Sequence, residues 1–351
     1  MRVFWIMALA CGLGCQQQKT FDRVEAEVAG EADLSSLGNL TLSSYGFFVG
    51  DLKNLEPAIN VLPYSINSPL FSDYAFKKRF VKIPEGVKFV YDGKDVFDFP
   101  EGSILIKNFY YPADFRKPTE RTRLLETRLL ILKDNSWDAL TYVWNDEQTE
   151  ANLDVAGRTI PVSWTHTDGM LRSIDYSVPS VNQCKGCHLK GDRVMPIGPS
   201  ARQLNRGEPK NQLLEWHERG VLAGLPDMSA VPQMASYEDE NEITADRARA
   251  WLEVNCAHCH RPDGQAKTSG LYLAADVLSP MEIGVGKAPV AAGKGSGGRM
   301  FSIVPSRPDE SILLYRIESI DPGIMMPEMG RKLVHAEGVD LVRRWIQEMR
   351  P

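Results

Sequence analysis

Between Tyr45 and Val181 the apolar residues fall in short runs separated by Pro, Gly, Asp and Asn. Phe80-Val81-Lys82-Ile83, Lys88-Phe89-Val90-Tyr91, Ile104 to Phe109, Leu129 to Leu132 and Leu140 to Trp144 have the length and the aromatic and branched content of strands. Pro84-Glu85-Gly86, Asp92-Gly93 and Asp134-Asn135 mark turns between them, with no long helical period in the gaps. Short turns suit antiparallel neighbours, so residues 45–181 are predicted to form an antiparallel β-rich domain, a sandwich or small barrel. After about Asn205 the spacing becomes helical. Leu213 to His217 and Ala245 to Val254 read as helices, and Val342, Trp345, Ile346 and Met349 form an i, i+3, i+4, i+7 stripe. Gly293 to Arg299 lacks the ordered spacing of a phosphate loop and reads as a surface loop.

The first residues follow another logic. Met1-Arg2, the apolar run Val3 to Ala10, and Cys11-Gly12-Leu13-Gly14-Cys15 have the order of an export signal, and the run is far shorter than the ~20 residues of a membrane-spanning helix. Gly14-Cys15 followed by three glutamines resembles a lipoprotein processing site, with Cys15 as the lipid-carrying residue and Cys11 as the competing position. Residues 1–15 are thus read as a leader and 16–44, polar and acidic, as a tether. The expected location is outside the cytoplasm, in the periplasm or lipid-anchored at the envelope. Across 351 residues, 40 Lys and Arg against 46 Asp and Glu leave a net charge of −6, which gives no field to hold a nucleic acid.

Four of the six cysteines lie in Cys184-Lys185-Gly186-Cys187-His188 and Cys256-Ala257-His258-Cys259-His260. Both have the C-x-x-C-H form of c-type haem attachment, in which two thiols bond one porphyrin and the adjoining imidazole reaches its iron. The expectation is two covalently bound haem c groups, at Cys184, Cys187 and His188 and at Cys256, Cys259 and His260. A thioredoxin-like dithiol would need a βαβ setting that the pattern lacks, and a four-thiolate zinc site would leave both histidines without a role. Met326 is the candidate axial ligand for the second iron, with Met325 and Met329 as neighbours. Helices before and after that motif and near Asp309–Ser319 suggest an all-α cytochrome c-like domain over 241–351, preceded by the first attachment segment at 182–240. For the first iron Met195, His217, Met228, Met234 and His166 all stand as candidates, and an open sixth position would admit peroxide or another small ligand.

These residues resemble a bacterial family of exported dihaem c-type cytochromes. The resemblance rests on Asn67 to Tyr74, Tyr142 to Thr149, Ser173 to Tyr176, Pro196 to Pro199 with Ala201-Arg202 and Leu204-Asn205, Asn255 to His260, and Met325 to Glu328. It implies electron transfer between redox proteins and names no substrate; the lipid expected at Cys15 adds the membrane as a further partner. Pro100 to Lys107 is also similar to a family of cytochromes in which a lysine is linked to the haem and small nitrogen compounds are oxidised; the plainer reading makes Lys107 the solvent-facing residue of an amphipathic strand. Two alternatives accompany the carrier: a haem enzyme, peroxidase-like or of that lysine-linked kind, and a surface interaction protein whose Trp137, Trp144 and Trp164 line a binding face.

Overall fold

Side chains two apart on a strand share a face, and the apolar runs around Phe80, Ile106, Leu129 and Leu140 build two different cores on the two sides of one sheet. The computed structural model describes residues 37–207 and 210–350. The expected leader, with Cys11 and Cys15, and positions 16–36 of the expected tether lie outside the described residues.

β1 (Phe48–Val49) and β2 (Glu56–Pro57) form a small antiparallel pair. β3 (Val61–Tyr64), β4 (Phe76–Lys82), β6 (Ile104–Pro112), β7 (Thr122–Lys133), β8 (Ser136–Trp144) and β9 (Ala151–Leu153) make an antiparallel six-stranded sheet in that order, with β3 and β9 at its edges. β5 (Phe89–Val90) instead pairs in parallel with β14 (Leu222–Ala223). β10 (Arg158–Thr165) and β11 (Leu171–Val178) form a hairpin, as do the short β12 (Leu189–Lys190) and β13 (Arg193–Val194).

The register explains the site. Phe80, Ile106, Leu129 and Leu140 stand opposite one another across β4, β6, β7 and β8, and with Phe47, Tyr142 and Trp144 they fill the core of one face. On the other face Val81, Leu105, Leu130 and Ala139 form an apolar row. Two positions along, the row is Arg79, Lys107, Arg128 and Thr141; the next is Lys77, Phe109, Glu126 and Val143. Leu105 packs with Phe89, Phe97, Phe99 and Trp216, whereas Phe109 packs with Tyr111, Trp164 and Tyr176. A stripe of three cations therefore crosses the sheet between two aromatic clusters.

The helices are short: α1 (Val181–His188), α2 (Ala201–Leu204), α3 (Gln212–Glu218), α4 (Thr244–Leu252), α5 (Ile312–Glu318) and α6 (Ala336–Glu348). α6 buries Val342, Trp345 and Ile346 of the expected stripe, together with Val339, against Trp251, Leu252 and Leu314, while Met349 falls just past its end. Gly338 permits the closest approach: a Cβ there would lie inside the van der Waals envelope of the Trp251 indole and 2.7 Å from His335 Nδ1.

The β-rich expectation for residues 45–181 fits, as one sheet with hairpins beside it. The all-α cytochrome c-like domain expected over 241–351 does not form. Among the described residues from His258 to Ser311 there are only 3-10 turns and isolated bridges such as Val285 to Ile303, and Gly38 onward is one compact unit. That stretch is rich in glycine and proline, which oppose helix by conformational freedom and missing donors. The molecule as a whole is β-rich with short helices.

Candidate cofactor site

α1 starts in a reciprocal cap: the Gln183 amide donates to Ser180 Oγ at 3.3 Å, and the Ser180 amide to Gln183 Oε1 at 2.9 Å. On a helix positions three apart are neighbours, so Cys184 and Cys187 share a face. Cys184 sits beside Thr141 and Arg128 at the end of the cation row; burial raises its pKa, and it pushes Cys187 up to about 11. The β12–β13 hairpin then folds the chain back so that the Met195 amide donates to the His188 carbonyl at 2.8 Å, while His188 Nδ1 meets the Met195 carbonyl, also at 2.8 Å. A carbonyl accepts only, so Nδ1 carries the proton and Nε2 is left with its lone pair, the state of a metal-ligating imidazole. Burial pushes the His188 pKa down to about 4. Met195 thus orients His188 through its main chain.

The second motif lies where α4 passes into a π turn, Glu253–Ala257. Asn255 holds this turn to the β-rich part: its Oδ1 accepts from the Phe71 amide at 2.9 Å and its Nδ2 donates to the Trp251 carbonyl at 2.8 Å. Cys256 is buried, and burial pushes its thiol up to about 12. Ser269 Oγ lies 3.3 Å from His260 Nδ1, and burial lowers the His260 pKa. The two motifs touch, with Cys259 Sγ 3.9 Å from the Gly186 carbonyl. All four thiols are free. Their pKa values are raised, the opposite of what activates a thiol in redox exchange.

A cavity of about 450 Å³ opens between the sheet and these segments. Cys184, Cys187, His188, His258, Met326 and His335 are on its wall, together with Arg79, Lys107 and Arg128. Cys256, Cys259 and His260 do not line it. The loop carrying Met326 nonetheless passes the second motif, since the Met326 amide donates to the Arg316 carbonyl at 3.0 Å and the charges of Arg316 and Glu328 bear on His260. Arg331 clamps that loop through the carbonyls of Met326, Ser319 and Leu333. Asp73 Oδ1 anchors it from the sheet side by accepting the Lys332 and Leu333 amides, each at 2.7 Å.

Of the other sequence candidates, Met234 and Met329 line the cavity. His166 accepts from the Trp164 indole at 3.3 Å, His217 Nδ1 lies 3.2 Å from the Leu222 carbonyl, and Met228 packs in the cluster around Trp216; none of the three is on the wall. Met325 is buried. Lys107 is not solvent-facing: it is enclosed on the cavity wall, with its Nζ 4.9 Å from the Phe109 ring centroid, and burial holds its pKa well below the lysine range. Trp137, Trp144 and Trp164 are buried in packing clusters, so they line no open binding face.

Sequence reasoning missed His258, at a variable position of its motif. Its Nδ1 is buried without a hydrogen-bond partner, and burial pushes its pKa down to about 4. It also missed Arg79 and Arg128, which only the strand register brings together. A larger open groove of about 820 Å³ between Arg249 and Trp345 carries no thiol or imidazole on its wall. Among the described residues no three His, Cys, Asp or Glu side chains converge as a direct metal site, and no helix is long and apolar enough to cross a membrane. No family model matches the chain, and neither a curated protein nor a solved structure matches it.

Proposed function

We propose that this chain is an exported dihaem c-type cytochrome that passes electrons between redox partners. The observation that carries the reading is convergence. Asn67 to Tyr74, Pro196 to Asn205, Asn255 to His260 and Met325 to Glu328, four separate stretches behind the family resemblance, all contribute residues to the one cavity lined by Cys184, Cys187 and His188.

The residues around the first motif fit the group. Two thiols share a helix face, an imidazole has its Nδ1 engaged and its Nε2 available, and the cavity offers apolar walls from Leu105, Leu130 and Ala139 beside unpaired cations. Haem iron, when bound, supplies one-electron exchange between its ferric and ferrous states. The chain's own part is to hold and insulate. Cys184 and Cys187 would bond one macrocycle and Cys256 and Cys259 the other, with His188 and His260 as the imidazoles that would hold the irons. Met326 is the sulfur proposed for the second iron, and the Met195 carbonyl keeps His188 in the ligating tautomer. Lipid attachment at Cys15 and a place at the cell envelope belong to the same reading, whose partners are other redox proteins.

The test is production in a host competent for cytochrome c maturation. An intact mass carrying two macrocycles, a Soret band, and loss of one macrocycle in Cys184→Ser/Cys187→Ser and of the other in Cys256→Ser/Cys259→Ser are expected. A product without macrocycles overturns the reading, and a high-spin first haem that binds cyanide rapidly replaces the carrier with an enzyme.

A further inference from the structure

Arg79, Lys107 and Arg128 face one another directly across β4, β6 and β7. Like charges in opposed positions repel, and nothing in the strand pattern requires cations there. Only one carboxylate flanks the row: Glu126, fully buried, accepts from Arg128 Nε at 2.9 Å and Nη2 at 2.5 Å and takes the Tyr176 hydroxyl at 2.6 Å. That pair accounts for Arg128. Arg79 and Lys107 have no hydrogen-bond or ion-pair partner among the described residues, yet both are on the cavity wall. The neighbouring Lys77 donates to the Leu70 carbonyl at 2.9 Å and does not line the cavity. On this face the cavity therefore presents an apolar row, Leu105 with Leu130 and Ala139, and beside it two basic side chains without an anionic partner. That is the complement of a flat apolar molecule with two carboxylates.

We infer that Arg79 and Lys107 seat the two propionate carboxylates of the macrocycle attached at Cys184 and Cys187. This rests on the haem reading above and deepens it. Two unpaired basic groups match two carboxylates in number, whereas Arg128, Arg331 and Lys332 on the same wall already donate to Glu126 or to main-chain carbonyls. A cation withdrawn from water is stable only when paired. Burial lowers the pKa of both residues, as expected for cations whose partner is an added group.

The test uses the matured protein and the variants Arg79→Gln, Lys107→Met and Lys107→Arg, each checked by intact mass for both macrocycles and by circular dichroism for folding. Resonance Raman propionate bending bands and the midpoint potential of the first haem are then recorded. Arg79→Gln and Lys107→Met should shift the bands and move the midpoint downward, because each removes a positive charge that favours the reduced form, and Lys107→Arg should restore both. Nitrite, sulfite and acetate should leave the wild-type Soret band unchanged. Loaded variants with unmoved bands and midpoint overturn the inference while leaving the haem reading intact. So does a saturable anion-induced Soret change that Lys107→Met abolishes without moving the bands, which marks a seat for a free oxyanion. Absence of macrocycles from the wild type overturns the haem reading itself, and the inference with it.

Discussion

Replacing Arg331 by Met keeps much of its length and removes its donors. The guanidinium is buried and donates to the Met326 carbonyl from Nε at 3.2 Å and Nη2 at 2.8 Å, to the Ser319 carbonyl at 2.8 Å and to the Leu333 carbonyl at 3.0 Å. The longer contacts to the Arg316 and Ile317 carbonyls, at 3.4 and 3.3 Å, would go with it, and three main-chain oxygens would lose this close partner. At about 1 kcal/mol each, the low end of the range for a buried unsatisfied group because the cost of burying the guanidinium is relieved, the loss comes to about 3 kcal/mol. Urea unfolding of the mature protein, followed by tryptophan fluorescence, measures it, with an unchanged m-value as the check that the unfolded state is the same. Limited proteolysis should also quicken between Ser319 and Leu333. A loss below about 1 kcal/mol, with cleavage unaltered, would refute the clamp, because it would show that other donors or water take over the three carbonyls.

Gly338→Ala should destabilise by about 1 kcal/mol or more in a thermal melt, since overpacking against Trp251 and His335 outweighs the helix-propensity gain of about 1 kcal/mol. Glu126→Gln leaves Arg128 without its anion and should cost about 3 kcal/mol or more by chemical denaturation; a near-neutral result would mean that the pair is solvated. The Trp251 indole donates to His335 Nδ1 at 2.8 Å, which needs a neutral ring, and burial pushes the His335 pKa down to about 4 despite the nearby Glu337 carboxylate and with Lys77 adding to the fall. An unfolded histidine takes its proton near pH 6.5, so this contribution is complete above that pH and is lost as the pH falls toward 4. The stability profile of His335→Phe should be flatter over that window than the parent's, and parallel profiles would remove His335 from the account.

What the chain discloses by itself depends on how local the cause is. The runs at Ile104 to Phe109 and Leu140 to Trp144 became strands, and the Val342-Trp345-Ile346 stripe became the buried face of α6, because alternation and helical spacing are properties of neighbours in sequence. The two C-x-x-C-H motifs are equally local. The cation row is not: Arg79, Lys107 and Arg128 come from three strands and meet only through register, so Lys107 read alone as the outer face of an amphipathic strand. Met195 read as one candidate iron ligand among five, and the short hairpin instead brings its carbonyl, not its sulfur, to His188. The expected all-α domain failed because three well-read helices were joined by analogy across a glycine- and proline-rich stretch with no helical period of its own.

The contact between Cys259 and Gly186 bears on how such a chain is made. On the proposed reading, thioether bonds form at two stretches that end up pressed together, with Cys256 buried and the other three thiols half-exposed. Attachment needs each thiol within reach, so on that reading loading at the buried Cys256 must precede the packing that covers it. Modification then comes before the final packing of the second motif, and a polypeptide that collapsed too soon would keep Cys256 covered and bare.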